Sequence, residues 1–410
     1  MSSYPLEVAN IFQEYGPQWR TDHQGHLSLN QLKVMSAIEH CRTAALGGHI
    51  LYCENCEQLQ IAYNSCRNRH CPKCQSSAAK RWLEARQADA LPVDYYHVVF
   101  SLPAGIADIA YYNKASIYNL LFQAASETLH TLAADPKHLG AKIGMIMVLH
   151  TWGSALTHHP HVHCIVPGGG LSPDTQSWVA CKPGFFLPVR VLSRLFRRLF
   201  LEKLQQAHLG QELHFYGQHQ NLSNSDLFHK WLQPFKQQEW VVYAKKPFAG
   251  PQAVLAYLSR YTHRIAIANS RLLNVNDDGV TFKWKDYRQK GRTKYKAMTL
   301  PVDEFIRRFL IHVLPKGFHR IRHYGMLANA SHATSLRLAK SLLAVPIEIN
   351  TKNDNDQAMT LDSPYLCRKC QTSMIVVACF EHDYQSRAPP VLEHRCHQIM
   401  SPLIEQTRPL

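Results

Sequence analysis

A histidine-rich segment near the middle of the chain reads His158-His159-Pro160-His161-Val162-His163-Cys164. Side chains alternate across a β-strand, so His161 and His163 point to one face while Val162 takes a packing position. Two neutral imidazoles side by side on one rigid strand supply half or more of a divalent-cation site. The ordinary alternative, in a chain with 25 histidines, is a polar loop or a histidine satisfied within the core. A glycine triplet at 168–170 follows, where the backbone turns sharply or a ligand comes close.

The segments around this strand predict a mixed helix and sheet unit. Residues 95–102 and 143–151 are rich in apolar and β-branched side chains and predict strands, and residues 107–133 predict a helix between them. The order strand, helix, strand, strand indicates an α/β or α+β layer with the histidine strand inside the sheet. Further predicted elements are helices over 27–43, 188–204 and 301–314 and a hairpin over 272–287.

Composition indicates a polyanionic partner. The 410 residues, enough for two or three domains, include 45 Lys and Arg against 30 Asp and Glu, a formal charge of +15, and the isoelectric point is near 9.3. Nucleic acid is the first candidate for such a chain. The first residues lack a signal-peptide pattern, and no apolar run reaches the roughly 18 residues of a membrane span. We therefore expect a soluble, cytoplasmic protein with no membrane partner.

Cysteine spacing predicts structural zinc. Six of the 12 cysteines fall between positions 41 and 74, which in a reducing compartment indicates metal ligation. The pairs Cys53-x-x-Cys56 and Cys71-x-x-Cys74, separated by 14 residues, predict one site closed by four thiolates. Four further residues are candidates for a second site: Cys41, His49, Cys66 and His70. The alternative for these cysteines is that they are buried free thiols.

These patterns divide the chain into three predicted parts: a zinc-binding domain over 1–90, a second domain over 91–345, and a linker with a tail over 346–410. The tail has one clean pair, Cys367-x-x-Cys370, and a partial zinc site is predicted there. Other potential ligands in the tail are irregularly spaced: Cys379, His382, Cys396 and His397.

A helix predicted from Pro251 carries two tyrosines, Tyr257 and Tyr261, one turn apart on one face. A partly buried aromatic face is the ordinary interpretation of such a pair. Tyrosine is also one of the few side chains that act as a covalent nucleophile, and a bound cation beside it favours both the phenolate and a phosphate target.

Residues 281–296 carry seven basic side chains against one acid, interleaved with aromatic rings. Basic groups follow a phosphate backbone while aromatic faces stack on unpaired bases, although a solvated edge strand is the alternative. The candidate DNA-binding residues here and beside the tyrosines are Arg260, Arg264, Lys283, Trp284, Lys285, Arg288, Arg292 and Lys294.

The motifs together fit one chemistry. A divalent cation held by His161, His163 and one further ligand would polarise a DNA phosphate while a tyrosine attacks it. The product would be a 5′-phosphotyrosine and a free 3′-hydroxyl, which needs no external energy source and agrees with the lack of a G-x-x-x-x-G-K-[ST] segment. Spacing leaves the third metal ligand open among four histidines: His97, His150, His159 and His263.

The chain resembles the HUH transposases of bacterial insertion sequences that move by a rolling-circle route, in their two-tyrosine class. The resemblance covers roughly residues 25–335. It rests on four segments: 65–74 (Ser-Cys-Arg-Asn-Arg-His-Cys-Pro-Lys-Cys), 161–163, 257–264 and 327–329. Segment 65–74 is similar to that family's zinc-binding domain, 161–163 to its HUH motif and 257–264 to its tyrosine motif.

The resemblance implies an α+β fold: an HUH-type catalytic domain with a central antiparallel sheet flanked by helices, preceded by a small zinc-binding domain. It implies structural Zn²⁺, catalytic Mg²⁺ or Mn²⁺, and two tyrosines that take turns as nucleophile. The partners would be single-stranded DNA at the ends of the protein's own mobile element and target DNA, with self-association left open.

Other functions remain possible on the sequence alone. A rolling-circle replication initiator would use the same metal and tyrosines at a fixed origin, and a non-catalytic zinc-dependent DNA-binding protein would keep the histidines and tyrosines in its core. A carboxylate-type transposase needs three well-placed acids, and acidic residues are sparse around every basic cluster.

Overall fold

The computed structural model describes residues 5–75, 79, 89–245, 265–286, 295–344 and 365–381. The helices in these ranges are α1 (Val8–Asp22), α2 (Leu29–Glu39), α3 (Ala104–Tyr112), α4 (Lys114–Ala134), α5 (Val189–Leu209), α6 (Ser225–Gln237), α7 (Val302–Leu310) and α8 (His332–Leu342). The strands are β1 (Gly48–Tyr52), β2 (Leu59–Tyr63), β3 (Tyr95–Ser101), β4 (Gly144–Trp152), β5 (His158–Pro167), β6 (Gly169–Leu171), β7 (Trp178–Ala180), β8 (Val242–Lys245), β9 (Leu272–Asn276), β10 (Gly279–Lys285), β11 (Tyr295–Leu300), β12 (Ile321–Gly325) and β13 (Ile375–Phe380).

The central sheet has five strands in the order β12-β4-β5-β3-β8, and every neighbouring pair is antiparallel. The predicted α+β class with a central antiparallel sheet flanked by helices is confirmed. The histidine strand β5 is the middle strand, as the sequence predicts, because its near-continuous apolar run after His163 suits burial on both faces.

One face of this sheet packs against helices. Alternate residues of the three middle strands, such as Phe100, Leu149 and Val162, form the largest core together with α3, α4, α5 and α6. Each fully buried side chain of this size contributes roughly 1.5–3 kcal/mol. Because neighbours along a strand point to opposite faces, this packing leaves His161 and His163 on the other face.

The predicted single helix over 107–133 is two helices that meet at Asn113. The Asn113 side-chain amide donates to the carbonyl oxygens of Ile109 and His214, and its oxygen accepts from the backbone N–H of His214. A buried asparagine that bonds the backbone in this way competes with helix continuation, which explains the break.

A second core joins the N-terminal helices to the strands that follow the central sheet. Helices α1, α2 and α7 pack with the three-stranded sheet β11-β10-β9, and their buried residues include Phe12, Met35, Phe282 and Phe305. The sequence-based boundary near residue 90 therefore separates segments that share this core. Helix α2 follows its N-cap residue Ser28, and Gln31 closes a capping box there.

The third sheet places the tail beside the N-terminal region. Its strand order is β13-β1-β2, so β1 at the centre pairs antiparallel with residues 375–380 as well as with β2. The tail segment 365–381 thus packs against the part of the chain that was predicted as a separate zinc-binding domain.

The glycine triplet after β5 serves close backbone approach. A Cβ on Gly170 would lie 2.6 Å from the Lys142 carbonyl oxygen, and one on Gly168 would lie 2.8 Å from that of Asp94. These contacts favour the turn interpretation of the triplet over a ligand site. Within the described ranges, no helix combines the length and the apolar character needed to cross a bilayer.

Candidate metal centre

Three histidines converge on the face of the central sheet opposite the helices. His161 and His163 come from β5, and His150 comes from β4, whose register pairs it directly with His161. The potential ligand nitrogens of the three rings lie within 4.8 Å of one another. Three imidazoles at this spacing form a donor set that suits a divalent cation.

Two neighbouring groups orient these rings. A 2.7 Å hydrogen bond joins Nε2 of His97 to Nδ1 of His163, and the two rings stack with their centroids 5.0 Å apart. Nδ1 of His161 donates to the carbonyl oxygen of His159 at 2.7 Å. Each bond holds a ring through Nδ1, so Nε2 is the nitrogen that both rings present to a cation, as outer hydrogen bonds commonly arrange in metal sites.

The four histidines that the sequence leaves as candidates for the third ligand differ in where they lie in the structure. His150 belongs to the cluster, His97 lies behind His163, and His159 accepts the ring N–H of His161 through its backbone carbonyl oxygen and is not part of the cluster. His263 lies outside the described residues. Strand parity predicts two of the three clustered histidines from sequence, but the third depends on the register between β4 and β5, which is a property of the tertiary fold.

His158 begins the same motif, but its side chain lies away from the cluster of His150, His161 and His163. Its Nε2 accepts from the hydroxyl of Tyr118 at 2.8 Å and its Nδ1 donates to the carbonyl oxygen of Ala107 at 3.1 Å. Burial is the main reason that its pKa falls to about 4. This histidine is therefore a satisfied structural residue that ties β5 to α3 and α4.

A cleft of about 600 Å³ opens over the histidine cluster. Its walls come from the central sheet, the turn after β4 and the end of β10. The sheet β11-β10-β9 therefore lies beside the central sheet at this cleft. The lining side chains outside the histidines include Ser101, Trp152, Tyr243, Arg271, Trp284 and Lys285. A cleft with imidazoles at its base and aromatic and cationic groups around it suits a phosphate-bearing strand.

Arg271 is a cleft residue that the motif search did not identify. Its guanidinium donates to backbone carbonyl oxygens of Ser154, Ala266 and Lys283, which joins the turn after β4 to β10. It precedes the hairpin as a single arginine with no surrounding basic cluster, so spacing alone carries no signal for it.

The predicted DNA-binding residues divide into three groups. Trp284 and Lys285 line the cleft, whereas Lys283 is exposed on the same strand. The remaining ones, together with both candidate nucleophiles, lie outside the described residues: Arg260, Arg264, Arg288, Arg292, Lys294, Tyr257 and Tyr261.

The cysteines assemble in a different combination from the one predicted. Cys71 and Cys74 do not meet Cys53 and Cys56; they cluster with two of the residues left for a second site, Cys41 and Cys66. In this first cluster the sulfur of Cys74 is 3.6 Å from those of Cys41 and Cys66. These separations exceed a disulfide bond and approach the roughly 3.8 Å edge of a tetrahedron with zinc–sulfur bonds near 2.3 Å.

The other predicted pair, Cys53 and Cys56, lies with Cys367 and Cys370 of the tail. Spacing predicts the wrong grouping for Cys53 and Cys56, because cysteines distant in sequence meet here only through the pairing of β1 with β13. His70, another candidate ligand, is half-buried beside the segment that follows α7. Its Nε2 accepts from the backbone N–H of Leu314, and desolvation lowers its pKa to about 3.

The fold and these sites define a protein with a cysteine-rich unit and a cluster of three histidines in a cleft lined by cationic and aromatic side chains. Two family models match the chain: "Transposase zinc-binding domain" over residues 11–102 and "Putative transposase" over residues 144–334. The first cysteine cluster lies within the former match, and His150, His161 and His163 lie within the latter.

Individual transposases are similar over most of the chain. It is 55% identical over 383 residues to "Putative transposase y4qJ" of Sinorhizobium fredii (strain NBRC 101917 / NGR234), an alignment that covers 92% of this chain and 96% of that protein. It is 27% identical over 331 residues to "Transposase for insertion sequence element IS801" of Pseudomonas savastanoi pv. phaseolicola, with 79% and 77% covered. The chain belongs to this transposase family, and the resemblance to insertion-sequence transposases is confirmed. A transposase acts on DNA, and the matched domain with its cysteine cluster supports structural zinc.

Proposed function

We propose that this transposase cleaves and rejoins single-stranded DNA at the ends of its own element through a 5′-phosphotyrosine intermediate, in rolling-circle transposition. The observation that carries the proposal is the convergence of His150, His161 and His163 at the base of a cleft rimmed by cationic and aromatic side chains. DNA as substrate places the proposed action in the bacterial cytoplasm, on the nucleoid.

The three histidines would hold Mg²⁺ or Mn²⁺. A divalent cation supplies Lewis-acid chemistry, stabilising negative charge on the oxygens of a scissile phosphate. The surrounding residues would orient the ligands. His97 and the His159 carbonyl oxygen hydrogen-bond the rings of His163 and His161, and the central sheet holds these histidines in position.

The nucleophiles we propose are Tyr257 and Tyr261. The phenol loses its proton, its oxygen bonds to phosphorus, and the phosphorus–O3′ bond breaks. The departing 3′-oxygen takes up a proton, which leaves a 3′-hydroxyl on one fragment and a 5′-phosphotyrosine on the other. Attack by a 3′-hydroxyl on that phosphotyrosine reverses these bond changes, joins the strands and releases the tyrosine.

Strand binding is proposed for the cleft and for the basic segment beside it. Lys285 and Arg271 would contact phosphates, while Trp284 offers a face for an unpaired base. The other proposed contacts, from the segments on either side of β9 and β10, are Arg260, Arg264, Lys283, Arg288, Arg292 and Lys294.

The test is a denaturing gel of purified protein with 3′-labelled single-stranded DNA that carries the element's ends, with Mn²⁺ or with EDTA. Wild type should form a metal-dependent covalent adduct with the labelled fragment. The adduct should disappear in His161→Ala and in one or both of Tyr257→Phe and Tyr261→Phe, while DNA binding persists in the tyrosine variants. Exposed Tyr216 offers a matched Tyr→Phe control.

Three results would contradict parts of the proposal. Tight binding by wild type with no adduct would favour a non-catalytic zinc-dependent DNA-binding protein. An adduct that persists in EDTA would remove the metal from the cleavage step. Cleavage restricted to a replication origin would favour an initiator.

A further inference from the structure

The second cysteine cluster joins parts of the chain more than 300 residues apart. The sulfur of Cys53 lies 3.3 Å from that of Cys370, and the sulfur of Cys56 lies 3.4 Å from that of Cys367 and 3.5 Å from that of Cys370. All four sulfurs lie within 4.8 Å of one another. A disulfide requires about 2.05 Å, so the four are thiols grouped at the spacing of a metal tetrahedron.

The two pairs have the same backbone geometry. In each, the N–H of the first cysteine donates to the carbonyl five residues on, from Cys53 to Gln58 and from Cys367 to Thr372. In each, the residue after the second cysteine has a positive φ: 54° at Glu57 and 62° at Gln371. Each of these two turns presents two sulfurs to the same point. This is the arrangement that a metal ion with four thiolate ligands requires.

A neighbouring hydroxyl completes the surroundings of the sulfurs. Thr372 Oγ1 lies 3.2 Å from the sulfur of Cys53 and 3.0 Å from that of Cys370. A hydroxyl donor in this position stabilises thiolates and resembles the outer hydrogen bonds that orient metal ligands.

The apolar core of this small unit is too limited to hold the tail alone. Besides Cys53 and Cys367, its fully buried residues are Leu51 and Met374, and the outer strand β13 exposes Ile375 and Val376. Units with so few buried apolar side chains generally depend on a metal or a disulfide for stability.

The N-terminal segment is shaped to receive the tail strand. A Cβ on Gly48 would lie 2.8 Å from the Phe380 ring, and one on Gly47, whose φ is +68°, would lie 2.4 Å from the Phe380 carbonyl oxygen. The end of β13 therefore requires glycine at position 47, whereas Gly48 also meets the Ala62 carbonyl oxygen of β2 at 2.7 Å. The contact of the tail at Gly47 is thus built into the N-terminal sequence.

We infer that Cys53, Cys56, Cys367 and Cys370 form a second structural zinc site, which fastens the C-terminal tail to the N-terminal unit. Cys367 and Cys370 lie beyond both family-model matches, which end at residues 102 and 334. The site is thus assembled from one pair inside the matched zinc-binding domain and one pair outside it.

The test is the zinc content of the full-length protein, in ions per chain, measured by inductively coupled plasma mass spectrometry. Wild type should contain two zinc ions per chain, and Cys367→Ser with Cys370→Ser should contain one. Cys379→Ser is the matched control, since Cys379 lies on the adjoining strand, is exposed and contacts His49 outside the cluster; it should keep both ions. One ion in wild type, unchanged in the double variant, would overturn the inference.

A second measurement uses wild type alone, so that misfolding of a variant cannot decide the result. Alkylation followed by peptide mass spectrometry should find Cys367 and Cys370 protected until a chelator strips the zinc, and then reactive together with Cys53 and Cys56. Cys379 should react in both states. Alkylation of Cys370 at the rate of Cys379 in the zinc-loaded protein would refute the site.

Discussion

His97 lies in contact with a proposed ligand without belonging to the cluster. It bonds Nδ1 of His163 at 2.7 Å, with the two rings nearly parallel, and it is buried. A bond in this position fixes both the ring orientation and the nitrogen that faces the cation. We therefore assign His97 a positioning role rather than a ligand role.

The first prediction follows from that contact. His97→Phe keeps a flat ring against His163 but removes the hydrogen bond, so Mn²⁺ affinity should fall roughly 10- to 100-fold. Titration calorimetry measures the change, with His229→Phe on the exposed face of α6 as control. Saturating Mn²⁺ should restore adduct formation. An affinity within twofold of wild type would mean that the sheet alone orients His163.

His158 gives a prediction about acid stability. Burial lowers its pKa in the folded protein to about 4, below the value near 6.5 expected in the unfolded chain. Between these values the unfolded chain binds a proton that the folded chain does not, so folding stability should fall as pH falls, by at most about 1.4 kcal/mol per pH unit.

Urea denaturation of wild type and His158→Gln at pH 7 and pH 5 tests this prediction. The stability advantage of wild type should shrink by roughly 1–2 kcal/mol at pH 5. Protonation of the cysteine ligands affects both proteins and cancels in the difference. An equal advantage at both pH values would show that another group dominates the acid response.

At the scale of elements, local patterns predicted about half of the helices and strands that the structure describes. Periodicity located α2, β3, β4, β5, α5, α7 and the β9–β10 hairpin. It did not identify the short strands β8 and β12 at the two sheet edges, because four or five residues carry too little pattern to separate from a loop.

The same limit applies to the metal sites. Two histidines on one strand follow from alternation, and C-x-x-C turns follow from spacing. Which strand supplies His150, and which cysteine pairs meet, depends on the pairing of β4 with β5 and of β1 with β13. Such pairings are non-local, and no spacing rule along a single sequence specifies them.

The strand β10 supplies a matched pair of lysines for a binding test. Lys285 lines the cleft and its ammonium lies 5.6 Å from the centre of the Tyr295 ring, whereas Lys283 is exposed. If single-stranded DNA follows the cleft, Lys285→Ala should reduce the slope of log affinity against log salt by about 0.7.

Fluorescence anisotropy with a labelled single strand, measured at several salt concentrations, provides these slopes. Lys283→Ala should change the slope less than Lys285→Ala does. The opposite order would place the DNA path on the outer face of the β9–β11 sheet instead of the cleft.

At the scale of the molecule, two cores meet at the cleft above the three clustered histidines. The first holds the histidine sheet from behind through α3 to α6, and the second, built from α1, α2, α7 and the β9–β11 sheet, supplies Trp284 in the cleft above it. Cys41, Cys71 and Cys74 belong to that second core. The first cysteine cluster therefore supports one wall of the cleft as well as the N-terminal helices.

This arrangement predicts a selective effect of removing one zinc ligand. Cys41→Ser should lose the zinc of the first cluster and loosen the second core, since metal binding at a tetrathiolate site contributes directly to folding. Amide hydrogen exchange should then rise at least tenfold in α1, α2 and β9–β11, while α4 and β4 in the first core keep their protection.

Cys164→Ala, which removes a buried sulfur from the first core, is the reciprocal control and should raise exchange in α4 and β4 first. Equal increases in both cores for either variant would mean that the two unfold as one cooperative unit, and the cysteine cluster would then support the whole chain rather than one wall of the cleft.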